Sequence, residues 1–199
     1  SNPYRDFNIF WNYSVIKMNI FLRHGEVKNP KDILYYDIPG YELSITGKEQ
    51  AARAAKYLSE NFEIKRIITS PLLRARQTSE IVNTKLKKQI FISNKITEWD
   101  GLVNWKGYTF DEITRTEEYK IYNQNPIKIK SRESFLDVFE RVNEVYESNE
   151  YTLFVTHQDT IRSFMYYKLG SQDFNVNKPS HCDLQYIVNN QLKIHINSD

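Results

Sequence analysis

Apolar positions along this chain follow two rhythms, and the rhythm switches repeatedly from one to the other. Short apolar runs at residues 15–22, 64–69 and 151–156 have the length and the β-branched and aromatic content of buried strands. After them the apolar positions move to helical spacing. Ala51, Ala55, Leu58 and Phe62 repeat in this way behind Thr46-Gly47-Lys48-Glu49, which reads as a capping box. Ser70 followed by Pro71 predicts an N-cap and a first helical position, so Arg74 falls on the first turn of the next helix. Phe135, Val138, Phe139, Val142, Val145 and Tyr146 form the clearest amphipathic stripe, and its apolar side is expected to face the core. A helix is predicted over 158–169 with Gly170 as its stop, and residues 183–188 and 192–196 predict a hairpin turning at Asn189-Asn190. Strands alternating with helices argue for the α/β class, here a three-layer α/β/α sandwich on a mostly parallel sheet. Residues 99–132 are the least regular stretch and are expected to pack over the site as a small helical insertion.

Length and charge narrow the class. A chain of 199 residues buries one sizeable core, so a single domain over 1–199 is expected, with residues 1–14 as an N-terminal extension. The net charge of +2 gives no strong pull toward nucleic acid or an anionic membrane, and neither is an expected partner. No apolar stretch approaches the length that spans a bilayer, and the first residues lack the apolar core of a signal peptide. One cysteine, Cys182, cannot form an internal disulfide, which fits a reducing compartment such as the cytoplasm.

The chemistry concentrates where strands end. Arg23-His24-Gly25-Glu26 follows the run Met18-Asn19-Ile20-Phe21-Leu22 and sets a cation, a nucleophilic nitrogen and an exposed backbone N–H at one spot. Phosphate suits all three, because an arginine fork matches its oxygens and glycine admits close approach of the backbone. Alone, the tripeptide is also compatible with a solvated strand end. Three further segments, in order, change that: Thr69-Ser70-Pro71-Leu72-Leu73-Arg74-Ala75-Arg76-Gln77-Thr78, Thr97-Glu98-Trp99-Asp100-Gly101, and Val155-Thr156-His157.

Taken together these segments resemble the histidine phosphatase superfamily, the phosphoglycerate-mutase-like enzymes, over roughly residues 18–169. The stretches Leu43-Ser44-Ile45-Thr46-Gly47 and Glu133-Ser134-Phe135-Leu136-Asp137-Val138 extend the likeness. The resemblance implies a phosphatase acting on a small phosphorylated metabolite, with His24 as nucleophile, His157, Arg23 and Arg74 around the phosphate, and Glu98 as the proton donor. The chemistry of a phosphate monoester agrees: positive charge held ready around the oxygens lowers the barrier, a neutral imidazole attacks phosphorus, and a carboxylic acid protonates the leaving alkoxide. Bound phosphate would itself keep that acid protonated.

Several residues keep alternatives at this stage. Arg74 and Arg76 both lie near a helix start, and the resemblance picks Arg74. Asp100 and Glu26 compete with Glu98 as acid, with Glu26 the better candidate for orienting the site by hydrogen bonding. Trp99, Trp105 and Tyr108 either line a substrate mouth or pack. Lys128, Lys130 and Arg132 read as a solvated run. The chain departs from the family pattern at Val27 and Pro30, where a hydroxyl and an asparagine are common, so Asn29 is the available substitute for contact with phosphate. Gln158 stands where glycine is common and is expected to contact the phosphate or partly fill the pocket. No cofactor is expected, and no metal, since His181 and His195 lack carboxylate or cysteine partners at ligand spacing. A phosphoglycerate mutase and a slow phospho-ligand-binding regulator remain as alternative functions. A homodimer remains open.

Overall fold

The computed structural model describes residues 18–170, 174 and 177–198. In chain order its elements are β1 Ile20–Arg23, α1 Ile45–Asn61, β2 Arg66–Thr69, α2 Leu73–Leu86, β3 Ile90–Ile92, α3 Phe110–Thr114, α4 Glu117–Gln124, α5 Phe135–Glu147, β4 Thr152–Thr156, α6 Gln158–Leu169, β5 Leu184–Val188 and β6 Gln191–His195. They build one six-stranded sheet in the order β3-β2-β4-β1-β5-β6. The first four strands of that order are parallel, and β5 and β6 are added antiparallel at the β1 edge.

Alternation along β1 shows how the layers form. Ile20 and Leu22 point into a core shared with Ala51, Leu58, Ala75 and Val82 of α1 and α2, while Phe21 points into one shared with Phe135, Val142, Ile161 and Phe164 of α5 and α6. Successive strand residues face opposite sides, so a strand buried on both faces carries an unbroken apolar run. The result is an α/β/α sandwich, as expected. The second core continues into the insertion through Trp99, Leu102, Trp105 and Ile113.

The periodic signals located α5, α6 and the hairpin well. Ser134 caps α5, accepting from the Asp137 amide, and Asp137 returns the bond. Gly170 closes α6 at φ 69°. Asn189 and Asn190, at φ 50° and 58°, supply the two left-handed residues that a tight hairpin turn needs. Two expected caps are corrected. Helix α1 is capped by Ser44, whose hydroxyl accepts from the Gly47 amide, and not by the Thr46 box. Helix α2 begins at Leu73 rather than at Pro71, and its N-cap, Leu72, makes no side-chain bond. Ser70 is instead drawn to His157, described below. The short edge strand β3 went unread because three residues carry too little pattern. Of the expected first strand, residues 15–17 lie outside the described residues, as does the extension at 1–14.

Candidate active site

The parallel register assembles the site. Arg23 of β1 pairs with Thr156 of β4, so His24 and His157, each one residue further on, emerge side by side at the carboxyl ends of neighbouring strands. Their ring centroids are 5.3 Å apart. Thr69 pairs with Val155 in the same way, which brings Ser70 alongside. Loops beyond strand carboxyl ends are where open α/β sheets place ligands.

Two hydrogen bonds define the state of His24. Its Nδ1 lies 2.8 Å from the Gly25 carbonyl, and a carbonyl only accepts, so Nδ1 carries the proton. Arg74 Nε donates to Nε2 at 3.2 Å, and a guanidinium only donates, so Nε2 presents its lone pair. Burial, then Arg74, His157, Arg23 and His181, push the pKa of His24 well below the usual histidine value. The ring is therefore neutral, with its one lone pair bonded by Arg74 and the Arg23 guanidinium acting on it through charge.

Gly25 serves this arrangement differently from the expected open backbone N–H. Its amide is buried and donates to Thr78 Oγ1 at 3.0 Å. A Cβ here would sit 2.5 Å from the Gly47 carbonyl oxygen, so the glycine admits the first turn of α1 against the loop that carries His24.

The arginines are fixed by backbone carbonyls. Arg74 Nη1 donates to the Tyr36 carbonyl at 2.7 Å, and its guanidinium lies 4.9 Å from the Tyr35 ring centroid. Tyr36 holds φ 37°, a strained conformation for a tyrosine, and in it offers that carbonyl to Arg74. Arg23 Nη1 donates to the Pro179 carbonyl at 2.8 Å, and Nη2 to His181 Nε2 at 3.2 Å. Burial and the two arginines push the pKa of His181 down to about 3, so it stays a neutral acceptor. Arg23 Nε is buried without a partner.

His157 is fully buried, with Nε2 at 2.7 Å from Ser70 Oγ and Nδ1 unpartnered. Ser70 Oγ also accepts from the Leu72 amide, and Nδ1 is the ring nitrogen that remains without a partner. That atom lies 3.9 Å from Glu98 Oε2, beyond hydrogen-bond range. The Nε of Arg23 and the Nδ1 of His157, both buried without partners near the His24 ring, are groups that a bound anion would satisfy.

Glu98 is buried and its pKa is pushed up to about 7, by desolvation first and then by the neighbouring carboxylate of Asp159. The Trp99 amide, 2.9 Å from Oε1, opposes the shift, as do Arg74 and Arg23. Asp159 is held by Arg162 Nη1 at 2.9 Å and by the Tyr122 hydroxyl at 2.9 and 3.0 Å. Tyr122 belongs to α4, so this buried cluster also ties the insertion to α6.

A cavity of about 290 Å³ opens on Arg23, His24, Arg74, Glu98 and Gln158. Of the residues expected at the phosphate, Asn29 is not brought there. Its amide closes on Ile33, donating to the carbonyl at 2.8 Å and accepting from the amide at 3.2 Å, because an asparagine in a turn bonds most readily to its own backbone. Glu26 accepts from Ser44 Oγ at 2.6 Å, while Asp100 accepts from the Glu133 amide at 3.0 Å. Arg76 is exposed. Trp105 lines the cavity, Trp99 is packed in the core with Nε1 bonded to the Glu133 carbonyl, and Tyr108 is exposed. His181, Asp159 and Tyr36 were missed. No local signal marks His181, which reaches Arg23 across 158 positions of sequence. Among the described residues no group of three or more histidine, cysteine or acidic side chains is placed to hold a metal ion.

Comparison with known proteins gives this geometry a setting. Residues 19–189 match the histidine phosphatase superfamily (branch 1). The 2,3-bisphosphoglycerate-dependent phosphoglycerate mutase of Thermoplasma acidophilum is 31% identical over 160 residues, 77% of each chain. An uncharacterized protein of Mycobacterium tuberculosis is 50% identical over 58 residues, 29% of this chain, and the match spans only 28% of that relative's length. A mycobacterial glucosyl-3-phosphoglycerate phosphatase, solved with VO3, superposes with a TM-score of 0.71 at 20% identity, covering 85% of this chain and 90% of that one, a likeness of fold.

Proposed function

The chain belongs to the histidine phosphatase superfamily, and on that premise we propose that it is a metal-independent phosphatase that hydrolyses a small phosphomonoester through a phosphohistidine at His24. The observation that carries this reading is the unprotonated Nε2 of a buried, tautomer-fixed His24, facing Arg23 and Arg74. Substrate phosphate takes the place of the Arg74–Nε2 hydrogen bond, and its oxygens meet the Arg23 and Arg74 guanidinium groups and the His157 N–H. Nε2 attacks phosphorus in line, the P–O bond to the leaving group breaks, and Glu98 gives its proton to the departing alkoxide. Water then attacks the phosphohistidine while Glu98 takes one of its protons. The Nε2–P bond breaks, and inorganic phosphate leaves with both groups restored. Two guanidinium groups and a neutral imidazole donor supply the charge stabilisation that other phosphatases draw from metal ions. A reducing compartment such as the cytoplasm suits the single, buried thiol of Cys182.

A second reading, phosphoryl return as in a mutase, is favoured by the match to the Thermoplasma mutase. The two are separated by following p-nitrophenyl phosphate hydrolysis and phosphoglycerate isomerisation with one preparation. The phosphatase reading expects steady hydrolysis that EDTA leaves unchanged and vanadate blocks. Isomerisation outpacing release of phosphate would overturn it in favour of the mutase, and loss of turnover in EDTA with recovery on a divalent cation would overturn the metal-independent route.

The proton donor predicts a pH dependence. Glu98 is active as the acid, and its raised pKa of about 7 keeps that form present up to neutrality. His24 is active when neutral, and its lowered pKa keeps it so through mild acid. For an alkyl phosphate kcat/KM is therefore expected to fall as pH rises through about 7. The fall in kcat is expected at higher pH, because bound phosphate raises the Glu98 pKa further. A profile flat from pH 6 to about 9 would contradict the assignment.

A further inference from the structure

Six rings line the cavity: Tyr35 and Tyr36 beside Arg74, and Trp105, Phe110, Tyr119 and Tyr122. Three of these brace one another, the Trp105 ring meeting those of Tyr119 and Tyr122 edge-on at 5.9 and 5.6 Å between centroids. Asp159 is bonded by Arg162 and Tyr122, and Arg162, which does not line the cavity, gives Nη1 to Asp159 and Nη2 to the Phe174 carbonyl while its Nε is buried without a partner. Among the described lining residues the cations other than Arg23 and Arg74 reduce to Lys178, which is exposed. A second anionic group on the substrate would therefore meet rings and the carboxyl groups of Glu98 and Asp159, with no buried lining cation besides Arg23 and Arg74 to receive it, at a substantial desolvation cost. A flat neutral ring meets the opposite situation, gaining both apolar burial and aromatic contact. At about 290 Å³ the cavity is at the small end for ligand sites, enough for a phosphoryl group and one ring.

Resting on the phosphatase reading, we propose that the substrate is the phosphomonoester of a neutral, single-ring aromatic alcohol, its ring seated against Trp105 and Tyr119. The test compares benzyl phosphate with glycerol 3-phosphate and 3-phosphoglycerate, all of which expel alkoxides, so that intrinsic leaving ability does not decide the outcome. Benzyl phosphate is expected to lead in kcat/KM by about 10- to 100-fold, mainly through KM, the range that burial of one ring supplies. Trp105→Ala and Tyr119→Leu are each expected to cut that lead by roughly 5-fold or more. Trp105 is buried, so Tyr119→Leu, at a half-buried position, carries the test should the first variant fail to fold. Equal or better turnover of glycerol 3-phosphate or 3-phosphoglycerate would overturn the aromatic preference and leave the phosphatase reading standing. A lead unchanged in folded Tyr119→Leu would overturn the ring wall as its source. No hydrolysis of any of the three, nor of p-nitrophenyl phosphate, would remove the phosphatase reading and this inference with it.

Discussion

His24→Ala is expected to lose at least about 10⁴-fold in turnover on every phosphomonoester, because no other group in the cavity can take over the attack. Covalent catalysis divides a difficult displacement into two easier ones, and without the nucleophile the remaining charges serve only to bind. The candidates for substitution are poor. His157 has one nitrogen engaged by Ser70 and lies beside the acid, His181 has its lone pair committed to Arg23, and the thiol of Cys182 is buried with its pKa pushed up to about 12. The measurement is a rapid-quench label with ³²P-substrate followed by peptide mapping. Acid-labile, base-stable label on the peptide that holds His24 is expected in the native chain and none in the variant. Label on a serine or aspartate, or undiminished turnover in His24→Ala, would end the phosphohistidine assignment. The variant should still fold, since His24 makes its two side-chain bonds at the mouth of the sheet and not within either apolar core.

Removing the acid has the second largest expected effect, and its signature lies in the leaving group. An alkyl phosphate expels a strongly basic alkoxide, so Glu98→Gln should cost on the order of 10² to 10⁴ in its hydrolysis. Nitrophenolate is a weak base and departs with little help, so p-nitrophenyl phosphate should lose far less. Geometry sets the controls. Asp100 accepts from the Glu133 amide and from Arg132 Nε, and Glu26 accepts from Ser44, so both are engaged in structure. Asp100→Asn and Glu26→Gln are therefore expected to lower activity, if at all, equally on both substrates. Equal losses in Glu98→Gln would make that residue a phosphate-positioning or water-activating group. A loss confined to alkyl phosphates in either control would transfer the acid role to that residue.

The environment that fits Glu98 for this role is assembled from distant parts of the chain. Thr160 of α6 stands at 3.4 Å from its Oε1, and Asp159 beside it raises its pKa through charge. Asp159 is bonded in the interior by Arg162 one turn on and by Tyr122 of the insertion. The insertion thus contributes more than a cover. Its rings line the cavity, and the Tyr122 hydroxyl bonds the carboxylate of Asp159, which adds to burial in raising the Glu98 pKa.

By itself the sequence determined what local rules determine. Period-2 and period-3.6 patterns gave the strand and helix order, hence the α/β class. Gly170 and Asn189-Asn190 gave their stops and turns because only certain residues tolerate those backbone angles. Arg23, His24 and His157 were legible at strand ends, which are local features, whereas Arg74 and Glu98 were singled out from Arg76, Asp100 and Glu26 by the family resemblance alone. Local pattern placed the cap of α1 at Thr46, whereas in the fold Ser44 caps it, its hydroxyl also donating to Glu26. Asn29 failed for a related reason, its backbone being nearer than any ligand. Everything that depends on through-space partners was left to the tertiary structure. The Arg74 bond to His24 Nε2, the clasp of Arg23 by His181, the closure of Gly25 on Gly47 and the Tyr122–Asp159 bond beside Glu98 all join residues far apart in sequence. Charge and hydrogen bonding act over a few ångströms regardless of chain order, and only the in-register alignment of β1, β4 and β2 brings those ångströms about.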